Sequence, residues 1–289
     1  MFLARYTLLG LSLCSLLVPQ FAHAQADRFA EVQITQTQLA ENVYVFMGAG
    51  GNIGVSSGID GLLIIDDQFA PLAEKITAAL NTLQVGMPKY VINTHFHGDH
   101  TGANEHFGQQ GTILAHHNVL SRLSENKSLN KVALPVITFD KGLSVHFNND
   151  TLAVKHLGPG HTDGDSIVIW EKANIIHMGD LFFKDKFPFI DLDHGGSILG
   201  YRNNVSAALS LINDKTQVIP GHGEMATKND LLKFKHMLDD SINWMRKEIS
   251  LGKNLKQIKK QGVPKKWKNW GWNFISEDKW INTLYQGLM

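Results

Sequence analysis

Cysteine is almost absent from this sequence, and the one present falls in a segment that the mature protein is expected to lose. Cys14 lies in the apolar run of residues 6–18, which follows Arg5 and precedes the small-residue sequence Ala22–Ala24. A short basic start, an apolar run and an A-x-A sequence are typical of a secretory signal peptide. We predict a signal at residues 1–24, cut after Ala24, and a periplasmic or secreted protein. The mature chain then has no disulfide and binds any metal through His, Asp or Glu.

An excess of charge of either sign is also missing. The chain has 27 Lys and Arg against 27 Asp and Glu, and removal of residues 1–24 takes away Arg5 and no acidic residue. This balance argues against a general affinity for nucleic acid or for an anionic membrane surface. The apolar run of residues 6–18 is too short to span a bilayer, so we expect no stable membrane anchor.

Short apolar segments with turn residues between them predict one large α/β domain over residues 25–252. Early strands follow one another directly, whereas later strands alternate with helices, which indicates sheets covered by helices. The strands are expected at VYVFM, IGVSSGI, GLLIIDD, KYVINT, TILAH, LPVITF, LSVHF, TLAVKHL, SIVIW, NIIHM and TQVIP. Helices are expected at residues 71–83, near 102–107, from 117, over 201–212 and from Thr227 to about Leu251.

The C-terminal extension, residues 253–289, differs in composition from the domain. Its first part, residues 253–272, carries seven lysines, no acidic residue and the tryptophans Trp267, Trp270 and Trp272. A basic, aromatic stretch is typical of nucleic-acid or membrane binding. We favour the alternative, an amphipathic helix and tail that pack their tryptophans on the same domain and leave the lysines in solvent.

The sequence NTHFHGDHTG, residues 93–102, concentrates metal-binding side chains. His95 and His97 are two apart, so in an extended segment both imidazoles point to one side. Gly98 permits a tight turn, after which Asp99 and His100 point elsewhere. Four ligands within six residues fit two neighbouring ions more easily than one.

Two ions need further ligands, and three candidates follow predicted strands with glycine beside them. They are His161 in LGPGHTDGDS, Asp180 in HMGDLFF and His222 in VIPGHGE. Glycine next to a ligand relieves steric crowding and tolerates unusual backbone angles.

The ordered set H-x-H-x-D-H, His, Asp and His resembles the pattern of the metallo-β-lactamase superfamily. The resemblance extends from the strand near Tyr44 to the helix after His222 and implies an αββα sandwich with the site at one edge of its two sheets. It assigns His95, His97 and His161 to a first metal and Asp99, His100 and His222 to a second, with Asp180 bridging them. Asp66, which closes the strand GLLIID, matches an aspartate that supports the metal loop from behind the ligands.

The same resemblance implies a hydrolase. Two Zn²⁺ ions are expected because imidazole and carboxylate ligands suit zinc, with iron as the alternative. The nucleophile would be a metal-bridging hydroxide, which Asp99 helps to orient, and the substrate a small molecule such as a β-lactam, lactone, ester or thioester. The lack of cysteine excludes one lactamase subgroup, and Asp180 fits the glyoxalase-II-like branch better than a subgroup without a bridging aspartate.

Two alternatives stay open at this point. One is an iron-dependent enzyme similar to persulfide dioxygenases, and the other is a non-catalytic periplasmic protein that binds zinc or a partner. Two interpretations are open for segments 48–54 and 181–197: a hairpin and an apolar wall on opposite sides of the metals, or plain packing and turn chemistry. We interpret His116 and His117 as ordinary residues at a helix start and His177 as structural.

Overall fold

The structure is a computed structural model and describes residues 28–289. The predicted signal peptide, with Cys14, lies outside the described residues. The chain divides into two units, Met1–Glu31 and Val32–Met289. The described part of the first unit, residues 28–31, ends in a turn. Everything that follows concerns the second unit.

The first sheet of this unit has seven strands in sequence order. The first four strands pair antiparallel, and the fourth to seventh pair parallel. They are β1 (Thr35–Ala40), β2 (Val43–Met47), β3 (Ile53–Gly58), β4 (Gly61–Ile65), β5 (Tyr90–Ile92), β6 (Thr112–His116) and β7 (Ile137–Phe139).

The second sheet has six strands in the order β13-β12-β11-β10-β9-β8. Only the pair β11 and β12 is parallel. The strands are β8 (Gly142–Phe147), β9 (Asp150–His156), β10 (Ser166–Trp170), β11 (Ile175–His177), β12 (Gln217–Ile219) and β13 (Ala226–Thr227).

Eight α-helices lie within Val32–Met289. They are α1 (Ala73–Leu83), α2 (Gly98–Thr101), α3 (Asn104–Phe107), α4 (His117–Glu125), α5 (Ile198–Leu211), α6 (Lys228–Ser250), α7 (Leu255–Gln261) and α8 (Glu277–Leu288). The longest, α6, begins with a capping box, in which the Thr227 hydroxyl and the Asp230 carboxylate each bond the other residue's backbone N–H. No helix in residues 28–289 is long and apolar enough to cross a membrane.

The two sheets pack face to face around one apolar core, and helices cover their outer faces. Leu63 and Ile65 of β4 point inward against residues such as Val168 and Trp170 of β10. Leu62 and Ile64, on the other face of β4, are also buried, as expected for a sheet covered on both sides. A second core joins the outer face of the second sheet to α5, α6, α7 and α8. This is the predicted αββα sandwich.

The C-terminal extension adds α7, α8 and a 3₁₀ turn at Lys265–Trp270 to the second core. Trp267 and Trp270 are buried, so the packing that we favoured for these tryptophans is observed. The elements that were not predicted include the polar edge strand β1, the two-residue strand β13, the one-turn helix α2 and the bounds of the final helix α8. The division into signal, domain and extension stays a prediction.

Candidate metal centre

Loops that follow four strands bring the seven predicted side chains to one place. His95, His97, Asp99 and His100 lie in the loop after β5 and in the short helix α2. His161 lies between β9 and β10, Asp180 in a 3₁₀ turn after β11, and His222 after β12.

The first group consists of His95, His97 and His161, whose nearest nitrogen atoms all lie within 4.8 Å of one another. His97 Nδ1 and His161 Nε2 are 2.8 Å apart. The second group, Asp99, His100 and His222, meets the same limit. Asp99 Oδ2 lies 3.3 Å from His222 Nε2 and 3.7 Å from His100 Nε2.

Asp180 lies between the two groups and turns one oxygen to each. Its Oδ2 is 3.4 Å from His161 Nε2 and 3.9 Å from His95 Nε2. Its Oδ1 is 3.1 Å from His100 Nε2 and 3.3 Å from His222 Nε2. The side chain is nearly buried, and the Tyr201 hydroxyl donates to its backbone carbonyl at 2.6 Å. This is the geometry that a carboxylate bridging two ions requires.

Groups behind the cluster determine which nitrogen of each imidazole faces inward. His100 Nδ1 donates to Asp66 Oδ2 at 2.7 Å, and His161 Nδ1 donates to the Phe189 carbonyl at 2.8 Å. Asp66 also accepts from the backbone N–H and the hydroxyl of Thr94, next to His95. The predicted supporting aspartate is thus placed behind the cluster, at a residue whose positive φ of 63° is uncommon for a side chain other than glycine.

The inward-facing atoms fit a cation better than they fit one another. His97 Nε2 donates to Asp191 Oδ2 at 2.9 Å, so both His97 Nδ1 and His161 Nε2 face each other as acceptors. Two lone pairs at 2.8 Å repel unless a proton or a metal ion lies between them. His95 Nε2 and Asp180 Oδ1 are buried without a hydrogen bond, which costs free energy in a native protein. A metal ion in each group would satisfy these four atoms.

Burial and neighbouring charges lower the pKa values of three side chains in the cluster. Burial opposes ionisation of Asp180, but the nearby His222, His100 and His161 hold its pKa well below the ordinary value. Burial, reinforced by His100, lowers the pKa of His95, and burial lowers that of His161 to about 4. His95 and His161 therefore offer neutral imidazoles, the form that binds a metal.

Comparison of the sequence with family models shows the family of this chain. A sequence model of the metallo-beta-lactamase superfamily matches residues 54–222, more than half of the chain. This chain belongs to that superfamily. The match begins in β3 and ends on the last of the seven side chains, so it contains the whole cluster.

Two relatives found by sequence are uncharacterized proteins. A protein of Aquifex aeolicus is 26% identical over 193 residues, 63% of this chain and 89% of that protein. A protein of Mycobacterium leprae is 32% identical over 107 residues, 36% of this chain and 48% of its own length.

Solved structures agree with the superfamily fold. A metallo-beta-lactamase from Pontibacter korlensis has a TM-score of 0.63 at 18% identity, covering 72% of this chain and 100% of that chain. The DIM-1 metallo-beta-lactamase has a TM-score of 0.63 at 20% identity, covering 72% and 99%. The sec-alkyl sulfatase PisA1 has a TM-score of 0.71 at 13% identity, covering 91% of this chain and 51% of its own. At these identities the likeness shows the fold.

The glycine-rich hairpin of this superfamily member, residues 48–54, is fastened to both metal loops. Gly51 N–H donates to the Asp99 carbonyl at 3.0 Å, and Asn52 N–H donates to the Gly221 carbonyl at 2.8 Å. A Cβ on Gly51 would lie 2.1 Å from His100 Cε1, and one on Gly221 would lie 2.2 Å from Asp180 Oδ1. These glycines allow the close approach that the sequence pattern indicated.

Asp191 is the site residue that sequence reasoning missed. It bonds His97 as described and also accepts from His194 Nδ1 at 2.8 Å. Burial raises its pKa, but the hydrogen bonds from His97 and His194 outweigh burial and lower it overall. Only its place in segment 181–197, directly after Asp180, pointed towards the site.

Aromatic rings border both groups of the cluster. Phe183 stacks on His222 with ring centroids 4.9 Å apart, and Phe189 lies 5.6 Å from His97 and 5.7 Å from His161. Segment 181–197 therefore does supply apolar surface beside the cluster. Trp272 of the extension lies 6.4 Å from His222, which the sequence did not indicate.

The remaining histidines that we considered lie apart from the seven. His177 is buried, with Nε2 3.0 Å from the Asn52 carbonyl and Nδ1 accepting from Gly179 N–H, which agrees with a structural role. His116 accepts from Asn118 N–H at the start of α4 and stacks on His156 at 3.9 Å. His117 is half exposed beside Asp140.

Proposed function

We propose that this chain is a dinuclear zinc hydrolase of the periplasm or extracellular space that cleaves a carbonyl substrate, namely a β-lactam, lactone, ester or thioester. The observation that carries the proposal is the arrangement of two ligand groups around the shared carboxylate of Asp180. His95, His97 and His161 would hold one zinc and Asp99, His100 and His222 the other. Location outside the cytoplasm is supported by the predicted signal peptide.

Zinc suits this ligand set. Five imidazoles with two carboxylates and no thiolate form a borderline-soft donor set that matches zinc. When bound, the two ions lower the pKa of a shared water to near neutrality and polarise a substrate oxygen.

The chain's own residues divide the remaining work. Asp180 is nearly buried and is held by four histidines, so it serves as a ligand only. Asp99 is 25% exposed on its side chain and reaches the edge of the cluster. Burial opposes its ionisation, but His100 and His222 lower the pKa of Asp99, which keeps its carboxylate charged. It is therefore placed to orient a nucleophilic water and to accept its proton.

Metal content and turnover test this function together. The mature protein is purified without added metal, its zinc and iron are measured by mass spectrometry, and a panel of β-lactam, lactone, thioester and phosphodiester substrates is assayed. An alkyl sulfate ester is included because one structural relative is a sulfatase. We expect two zinc ions per chain and turnover of a carbonyl substrate that chelation abolishes and zinc restores.

Asp99→Asn changes both a ligand of the second zinc and the group that accepts a proton from water. It is expected to lower kcat by about 10²–10⁴-fold or more, the lower bound being the usual contribution of a general base. Full activity after metal removal would refute the proposal. Bound iron with oxygen consumption would favour the dioxygenase, and zinc binding without turnover of any substrate would favour the non-catalytic role.

A further inference from the structure

The C-terminal extension contributes half of an aromatic border around the candidate metal centre. Consecutive ring contacts run from Phe183 to Trp272 at 6.2 Å, from Trp272 to Phe274 at 5.6 Å and from Phe274 to Phe189 at 5.5 Å. The two ends of this series contact candidate ligands, Phe183 at His222 and Phe189 at His97 and His161. The border thus spans both groups of the cluster.

Hydrogen bonds hold the extension in this position. Trp272 Nε1 donates to the Phe187 carbonyl at 2.9 Å, and Phe187 N–H donates to the Trp270 carbonyl at 2.9 Å. The Lys279 ammonium donates to the Phe274 carbonyl at 2.8 Å and lies 5.3 Å from the centre of the Phe274 ring. The backbone at residues 270–274 is therefore fixed on segment 181–197.

An open surface cavity of about 500 Å³ lies beside this border. Its surface is mostly apolar and includes Phe189, Phe274 and Ile275, with Lys259 and Lys279 among its polar groups. The volume is that of a small-molecule site. Phe274 is 50% exposed, whereas phenylalanine side chains are most often buried. Phe189 lines the cavity and also contacts His97 and His161, so its ring adjoins both the cavity and the cluster.

We propose that this cavity receives the apolar acyl chain of the substrate, so that the enzyme prefers carbonyl substrates with a medium-length chain. This inference rests on the proposed function. The reacting carbonyl lies at the metal cluster, and the chain follows the Phe189 ring into the cavity against Phe274 and Ile275. Burial of methylenes there adds binding free energy that an acetyl group lacks.

Acyl thioesters with two, four, six and eight carbons test the preference. For the zinc-loaded protein we expect kcat/KM to rise by about threefold for each added methylene, somewhat below the factor for complete burial of a methylene. For Phe274→Ala the ratio of kcat/KM between the eight-carbon and two-carbon substrates should fall at least about tenfold. Leu251→Ala, a truncation of an exposed apolar side chain at the end of α6, should keep the wild-type ratio.

Binding of octanoate to the metal-free protein provides a readout that needs no turnover. We expect saturable binding by calorimetry, weakened at least about tenfold in Phe274→Ala and unchanged in Leu251→Ala. Thermal unfolding of both variants checks that they are folded. Hydrolysis without chain-length preference and without octanoate binding would overturn the cavity assignment while leaving the hydrolase intact. Octanoate binding without hydrolysis of any substrate would overturn the hydrolase and retain the cavity.

Discussion

At the scale of single residues, Gly51 determines how closely the hairpin approaches the metal loop. A methyl group at this position would lie 2.1 Å from His100 Cε1 and 2.5 Å from His100 Nδ1, so His100 or the hairpin must move. Movement of His100 also weakens its hydrogen bond to Asp66. We predict that Gly51→Ala weakens zinc binding at the Asp99, His100 and His222 group by at least about tenfold, comparable to the loss of a supporting contact.

Zinc competition with a chromophoric chelator measures this effect as a fall in stoichiometry from two towards one. Gly98→Ala is the matched control, because Gly98 lies in the metal loop next to Asp99 and a Cβ there meets no atom within 4 Å. Equal zinc binding by Gly51→Ala and Gly98→Ala would show that the hairpin moves without any loss of zinc affinity.

Asp191 is predicted to act through His97 and not on the substrate. Asp191→Asn removes the charge that accepts from His97 Nε2 while keeping a similar shape. We expect zinc affinity to fall by about 10–100-fold, the usual effect of changing a carboxylate behind a metal-bound histidine. Asp193→Asn, an exposed neighbour in the same turn, should bind zinc as the wild type does. Unchanged affinity in Asp191→Asn would place Asp191 outside the centre.

These residues also show how far sequence reaches into the site. The seven cluster side chains were identifiable because they lie close together or beside glycine at strand ends. Asp191 and Asp66 act on histidines 94 and 34 positions away, across different loops. Asp66 was found through the superfamily pattern, whereas nothing local distinguishes Asp191 from the exposed Asp193. Trp272 reaches His222 through the tertiary packing of the extension, which no spacing encodes.

At the scale of elements, periodic and buried segments were predictable and exposed or very short ones were not. The strand GLLII reads as buried because it is apolar throughout, and it forms β4. β1 has the polar sequence TQTQLA, in which apolar and polar residues do not alternate, and most of its residues are exposed. α5 begins three residues before the predicted Tyr201, because Ser197 caps it by accepting from Gly200 N–H.

The final helix, α8, is predicted to stabilise the domain although its sequence position is terminal. Trp280 is fully buried, stacks on Phe187 at 5.6 Å and donates to Ser241 of α6. Trp280→Ala should lower the free energy of unfolding by about 3–5 kcal/mol, as for other large truncations in cores. Denaturant titration measures the loss, with Tyr285→Ala on a less buried face of α8 as the comparison. A change below 1 kcal/mol, roughly that of a surface substitution, would show that α8 is only loosely attached.

At the scale of the whole molecule, stability and site depend on one framework. Each sheet ends in loops that carry candidate ligands, and the hairpin at residues 48–54 joins loops of both sheets. The second core extends from β10 and β11 through α6 to the tryptophans of the extension. A substitution that disrupts the packing of the extension is therefore expected to displace Phe187 and Phe189. The backbone carbonyl of Phe189, which orients His161, would move as well.

His116 and His156, whose pKa values are lowered by burial, make the free energy of unfolding of the metal-free protein decrease as the pH falls. Burial, together with the neighbouring His156 and His117, lowers the pKa of His116 to about 4, and burial also lowers the pKa of His156. An unfolded histidine has a pKa of about 6.5. As the pH falls from about 6.5 towards 4, the unfolded chain takes up protons that the folded chain excludes, so the free energy of unfolding decreases over that window.

His116→Asn tests this dependence, because asparagine keeps a cap acceptor for the Asn118 N–H and does not titrate. Denaturant unfolding with chelator present, at pH 7 and pH 5, gives the loss of stability for each protein. We expect the wild type to lose about 1 kcal/mol more than the variant, a value discounted for solvent screening. The quantity compared is the change in the free energy of unfolding between pH 7 and pH 5. Loss of stacking on His156 lowers the variant's stability at both pH values and does not affect that change. Equal losses in the two proteins would show that folding does not lower the pKa of His116.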